Sequence, residues 1–256
     1  MIDIHTHILY GLDDGAETFD ASVAMARLAQ ETGTTDIVAT PHANISYRYE
    51  PDLIDSRIQD LRRSVGGKLR IHRGCDFHLS LQNIQAAVQE PQQFSINGLG
   101  YLLVEFPDVS AVQGIDHIFE TLRDAGLTPI VTHPERNSYL AADLKRLSQW
   151  VEQGIYLQLT AQSITGDVFG PEIARWCDQA LKMGLVHFVA SDAHDSRVRT
   201  TRLDQAKAHI EENFGEDYAD LLFETHPRAA IEGLPLPIGR AVPPNRHKKR
   251  WFHFGR

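Results

Sequence analysis

At 256 residues, with 42% hydrophobic and 23% charged side chains, the chain suits one globular domain with a large core, and its composition is not that of a disordered polymer. Cys75 and Cys177 are too few for a disulfide framework, and neither has the Arg six positions on that a cysteine-based phosphatase loop needs. A net charge of −9 argues against a broad nucleic-acid footprint.

No apolar run approaches the roughly 20 residues that span a bilayer, and His5, His7, Asp13 and Asp14 interrupt any signal-like stretch near Met1. The expected compartment is therefore the cytoplasm. Charge is unevenly spread. Six cations (Arg240, Arg246, Lys248, Lys249, Arg250 and Arg256) follow Glu232 without any acid, leaving 19 cationic against 34 acidic residues before them.

In chain order, short β-branched runs alternate with amphipathic stretches, the pattern of βα units and a mainly parallel sheet. Strands are predicted around 2–4, 36–39, 69–72, 101–105, 129–132, 155–159 and 186–190. The clearest helix carries Ile115, Ile118, Phe119, Leu122 and Ala125 on one face and ends at Gly126, where a left-handed cap is expected. Gly33, Gly154 and Gly184 repeat that punctuation. Seven right-handed returns close most economically into a barrel, with an open doubly wound sheet as the alternative. After Leu203 the pattern becomes helix only, with Leu203, Ala206, Ile210 and Phe214 spaced for one buried stripe. The Pro, Gly and basic content of 235–256 suggests a flexible tail after a domain spanning 1–234.

The chemistry lies at the strand ends. Strand 1 runs into His5 and His7, the second into His42, the third into Asp76, the fourth into Glu105, the fifth into His133, and the seventh into Asp192 and His194. In a βα barrel all carboxyl ends share one rim, so these distant residues converge on one cavity. One His near a strand end is ordinarily a packed or solvated side chain; the repetition is what points to metal. His72, His78, His117, His187, His209, His226, His247 and His253 fall outside the pattern and read as structural or surface residues, with His187 packed in the core. Eight donors exceed the three protein ligands of a catalytic zinc, so two or three ions are implied. Nitrogen and oxygen donors without thiolate fit Mn, Fe or Zn, and we favour Mn. Clustered ions of this kind serve hydrolysis of phosphate esters. Arg136 and Arg197, three residues after His133 and His194, are placed to hold the non-attacked phosphate oxygens.

The segments Ile-Asp-Ile-His-Thr-His7, Asp13-Asp14-Gly15, Thr40-Pro-His42, Leu103-Val-Glu-Phe106, Thr132-His-Pro-Glu-Arg136 and Ala190-Ser-Asp-Ala-His194 resemble the polymerase and histidinol phosphatase (PHP) superfamily. Within it, the chain is most similar to the metal-dependent protein-tyrosine phosphatases encoded with capsule and exopolysaccharide genes. The resemblance runs from Met1 to about Arg197. It implies a distorted (β/α)7 PHP-type barrel with additional C-terminal helices and a di- or trinuclear manganese-type site held by the eight residues above. It also implies removal of phosphate from the tyrosine-rich tail of a bacterial tyrosine kinase.

Asp14 matches a position near the reacting group, implying an orienting role or proton donation to the leaving group; the bland alternative is a turn residue. Two departures stand out. Asp76 replaces the usual Glu, one methylene longer, so a third ion would be held more weakly or through water. The His194 to Arg197 spacing is shorter than in relatives, leaving Arg199 or Arg202 as substitutes. Tyr47 and Tyr49, after His42, can wall an aromatic phosphoester or simply pack on neighbouring helices. The competing functions are a histidinol-phosphate-type phosphatase, a PHP-type nuclease that the acidic body disfavours, an amidohydrolase, and a catalytically silent phosphotyrosine-binding module. The basic tail, with Trp251, Phe252 and Phe254, suits a solvated, disordered end, or docking on an anionic membrane surface or on the kinase.

Overall fold

The structure is a computed structural model that describes residues 1–107 and 112–241. Its strands are β1 (Ile2–Thr6), β2 (Asp36–Ala39), β3 (His42–Ala43), β4 (Arg70–Arg73), β5 (Asp76–His78), β6 (Tyr101–Glu105), β7 (Thr128–Thr132), β8 (Tyr156–Thr160) and β9 (Phe188–Ala190). Every ladder is parallel, in the orders β1-β2-β4 and β3-β5-β6-β7-β8-β9. All seven expected strands are present, two of them interrupted: Thr40-Pro41 separates β2 from β3, and Gly74-Cys75 separates β4 from β5. Pro41 lacks the amide that would continue a ladder. Hydrogen bonds from the Gly74 amide to Ala39 O (2.9 Å) and from the Asp76 amide to Pro41 O (3.2 Å) carry the pairing across both breaks.

The first and last strands meet at a seam. Thr6 bridges Ala193, the Asp192 amide donates to His5 O at 2.8 Å, and the His7 amide donates to Ala193 O at 2.9 Å. The ladder thus returns on itself, as the distorted (β/α)7 barrel requires. Ile2, Ile4, Val38, Leu103, Ile130 and Phe188 form one buried cluster with Ala230 and Ile231 of the helix His226–Glu232. Two further clusters lie between the strands and the surrounding helices.

Local sequence explains the surrounding layer. Ile115, Phe119 and Leu122 bury one side of the helix Ile115–Asp124, and Gly126 then turns the chain with φ +82°. Gly33, Gly154 and Gly184 also adopt positive φ before their strands. After Leu203 only helices follow, and Ala206, Ile210 and Phe214 form the expected buried stripe.

Residues 235–241 are strapped across the amino-terminal ends of the strands, and residues 242–256 lie outside the described residues. The Tyr101 and Tyr156 hydroxyls donate to Leu234 O (2.7 Å) and Leu236 O (3.0 Å), His187 Nε2 lies 2.9 Å from Gly239 O, and Ala241 is buried. The backbone carbonyls of this segment are satisfied by three buried side chains. His187 is the packed core histidine expected of it, and burial, with His226 nearby, lowers its pKa to about 4.

Candidate metal centre

Parallel ladders and the seam deliver the strand ends to one rim, where a cavity of about 370 Å³ opens. It is lined by Asp14, His42, Asp76, Glu105, His133, Asp192 and His194, while His5 and His7 are buried and complete the donor cluster. His5 Nε2 lies 3.4 Å from Asp76 Oδ2 and 3.5 Å from Asp192 Oδ1; His7 Nε2 lies 3.3 Å from Asp192 Oδ1. His42 Nδ1 faces Asp76 Oδ2 at 3.3 Å and Glu105 Oε2 at 3.5 Å. All eight predicted donors converge.

They fall into four overlapping groups, each with ligand atoms within 4.8 Å of one another: His5, His7 and Asp192; His5, Asp76 and His133; His42, Asp76 and Glu105; and His7, Asp14, His42 and His194. The last group brings in Asp14, whose Oδ1 lies 3.3 Å from His42 Nε2 and 3.4 Å from His194 Nε2. Asp14 therefore stands as a potential donor, beyond the orienting or proton-donating role that the resemblance implied.

The electrostatics favour cations. Asp76 is fully buried, yet neither of its carboxylate oxygens accepts a hydrogen bond, and His42 Nδ1 is also buried without one. Orphaned buried groups of this kind are costly unless an ion satisfies them. Burial alone would raise the Asp76 carboxyl, but His5 and His42 outweigh it and hold it well below the usual range. Burial likewise opposes the charge on His42, yet Asp14, Asp76 and Glu105 raise it to about 11; His7 is raised to about 9 against burial by Asp13 and Asp192. Burial, reinforced by Arg136, keeps His133 neutral, the form in which imidazole binds metal. His133 and Asp192 also hold left-handed backbone (φ +34° and +50°), strain of about 1 kcal/mol or more each that tends to collect at functional sites.

Supporting residues were less visible in the sequence. Asp13 Oδ2 lies 2.7 Å from His7 Nδ1, and Gln158 Oε1, from the one strand without a ligand-type residue, lies 3.0 Å from His5 Nδ1. Both contacts orient the rings and fix which nitrogen faces the centre. The loop after β1 folds back so that the Ala16 amide donates to His7 O, and a Cβ on Gly15 would lie 2.1 Å from that oxygen; only glycine fits. His78, expected to be structural or superficial, lines the cavity, with Nδ1 3.3 Å from Glu105 Oε2. Two-residue alternation from Asp76 along β5 is the signal that could have placed it there.

Among the substrate-side residues, Arg136 lines the cavity, pairs with Asp192 Oδ2 and sits 4.8 Å over the Phe169 ring. Arg197 does not reach the cavity: it is exposed, and the cavity-lining arginine of that loop is Arg199, 2.6 Å from Asp192 Oδ2. The Asp195 carboxylate accepts the amides of Arg197, Val198 and Arg199, which turns the loop and brings Arg199 back. Arg202 pairs with Asp204 instead. Tyr47 lines the cavity and stacks on His42, with centroids 5.9 Å apart and planes at 13°. Tyr49 packs away from it, buried beside Phe94, its hydroxyl donating to Gly74 O at 3.0 Å. The two tyrosines thus divide between the site and the core.

Among the described residues no helix is long and apolar enough to cross a membrane. The family model described as capsular polysaccharide synthesis, CpsB/CapC, matches residues 1–232. The tyrosine-protein phosphatase YwqE of Bacillus subtilis (strain 168) is 32% identical over 228 residues, covering 88% of this chain and 89% of YwqE. The tyrosine-protein phosphatase CpsB of Streptococcus pneumoniae is 26% identical over 239 residues, covering 90% and 98%. A crystal structure from work on these two proteins, described there as unique metal-dependent tyrosine phosphatases, superposes with a TM-score of 0.86 at 29% identity, covering 94% of this chain and 100% of the other.

Proposed function

The chain belongs to the capsular polysaccharide synthesis CpsB/CapC family, and on that premise we propose how it acts as a metal-dependent tyrosine phosphatase. The observation that carries the reading is the buried Asp76 carboxylate, without a hydrogen-bond donor among converging imidazoles at the mouth of the barrel. His5, His7, His42, Asp76, Glu105, His133, Asp192 and His194 are the proposed metal ligands, and Asp14 joins them with His42 and His194. The mixed donor set suits two or three divalent ions, manganese before iron or zinc. When bound, such ions lower the pKa of water and neutralise phosphate charge.

The protein's own groups do the rest. Asp13 and Gln158 orient His7 and His5. Arg136 and Arg199, both drawn to Asp192, are proposed to hold the phosphate oxygens that are not attacked, Arg199 taking the place expected of Arg197. Tyr47 offers an aromatic face beside the cavity for the phenyl ring of the substrate. The proposed substrate is a phosphotyrosine protein, the tyrosine-rich tail of a bacterial tyrosine kinase, met in the cytoplasm near the inner membrane face. The basic tail invoked for membrane contact lies almost wholly at 242–256, outside the described residues.

The test is turnover of a phosphotyrosine peptide and of histidinol phosphate by chelator-stripped protein reloaded with Mn, with metal content measured by elemental analysis. The reading expects metal-dependent activity strongly favouring the peptide. Preference for histidinol phosphate would replace it with the small-molecule phosphatase; metal occupancy and peptide binding without turnover would replace it with a silent binding module.

A further inference from the structure

From the geometry around Glu105 we infer that His78 is a positioning residue of the metal centre, locking the Glu105 carboxylate toward His42 and Asp76. The inference rests on the metal-centre reading above. His78 and Glu105 are register partners on the adjacent parallel strands β5 and β6, so the ladder itself, not a loop, sets the two side chains next to each other. The Leu79 amide donates to Glu105 O at 2.9 Å, extending the pairing one step beyond the strand. Asn83 then staples the strand ends, its Nδ2 donating to His78 O at 2.9 Å and to Ala43 O at 2.7 Å. The imidazole is thus mounted on a rigid frame.

From there Nδ1 reaches Glu105 Oε2 at 3.3 Å, on the same oxygen that faces His42 Nδ1 at 3.5 Å. The other oxygen, Oε1, lies 3.8 Å from His133 Nε2. Glu105 therefore has one oxygen toward each side of the centre, and the His78 contact on Oε2 opposes rotation about the terminal bond. Asp76 is too short and too deeply buried to take over that span. A hydrogen bond to a ligating carboxylate is worth roughly 10–100-fold in metal affinity when removed.

The experiment uses the full chain, stripped of metal and titrated with Mn²⁺ alone by calorimetry, with metal content after dialysis as a second readout. His78→Ala should weaken the least tightly held ion about tenfold or more, with an unchanged melting temperature for the metal-free protein. His78→Asn, whose Nδ2 can occupy the place of Nδ1, should restore affinity to within about threefold of the parent. If the Ala variant does not fold, His78→Phe, which keeps the ring without the donor, takes its place. Unchanged affinity in the variant lacking the donor overturns the inference, and so does an Asn variant as impaired as Ala, which would make His78 a direct ligand. His133→Ala serves as the control. Should it retain the parent's metal binding, the metal-centre reading fails first, and the failure is distinguishable from that of His78 alone.

Discussion

His7 Nδ1 lies 2.7 Å from Asp13 Oδ2, and that same oxygen accepts the backbone amide of His42 at 3.1 Å. One carboxylate therefore sets both a ring orientation just after β1 and the backbone of β3. Asp13→Asn keeps the shape but removes the charge that pairs with the ring. It should reduce metal affinity or phosphotyrosine turnover by roughly 10–100-fold, as measured by metal titration and kcat/KM; parent-like values in both would remove the orienting role.

Arg136 and Arg199 share Asp192 Oδ2, whereas Arg197 is exposed. Replacing either of the first two with Ala should lower kcat/KM for a phosphotyrosine peptide by about 100-fold, the scale of one lost charge-assisted contact of ~2–3 kcal/mol. Arg197→Ala should stay within about threefold of the parent. Steady-state kinetics on the three variants, compared side by side, decides between the two arginines of that loop.

Tyr47 and Tyr49 should separate cleanly into function and stability. Tyr47→Ala removes the face stacked on His42 and should raise KM for phosphotyrosine peptide more than for a small aliphatic phosphate. Tyr49→Ala empties a buried site beside Phe94 and should cost roughly 3–5 kcal/mol in denaturant unfolding with little selective effect on KM. Equal KM effects on both substrates in Tyr47→Ala would contradict the aromatic wall.

Acid should weaken the fold through His187. Its folded pKa, lowered by burial to about 4, lies below the ordinary 6.5, so the unfolded chain takes up a proton that the folded chain refuses. Stability from this group is fully present above pH 6.5 and falls as pH drops toward 4, by roughly 3 kcal/mol over the interval. His187→Gln, which can still donate to Gly239 O, should flatten that dependence by about 2 kcal/mol between pH 7 and 4.5. Parallel unfolding curves for parent and variant across this range would refute the assignment.

The strap at 234–241 predicts a sharp difference between two truncations. The reference is the chain ending after Ala241, which keeps every described contact of the strap. Ending it after Gly233 removes the carbonyls that Tyr101, Tyr156 and His187 use, costing about 3 kcal/mol at ~1 kcal/mol per bond, or roughly 10 °C. Equal melting of the two would show that the strap adds nothing.

Much of this was legible because strand ends and metal donors leave local marks. Runs such as Asp36–Ala39 and Tyr101–Glu105 announce strands, and a His or acid at the end of each declares the rim. What stayed hidden depends on neighbours in space. Asp13 and Gln158 look like any turn or strand residue until His7 and His5 are set beside them, and His78 matters only through its register with Glu105. Counting along the loop points to Arg197 before Arg199, because the sequence does not show that Asp195 gathers three successive amides and turns the chain. The hold on residues 234–241 is invisible in the sequence because the side chains that provide it, Tyr101, Tyr156 and His187, lie on or beside distant strands.

The seam between Thr6 and Ala193 also has a temporal meaning. During synthesis His5 and His7 are made well before their partners on the far side, Asp192 and His194. The proposed ligands cannot all meet until the roughly 190 residues between His5 and His194 have been made, so metal capture by them should report completion of the ring and follow translation instead of guiding it.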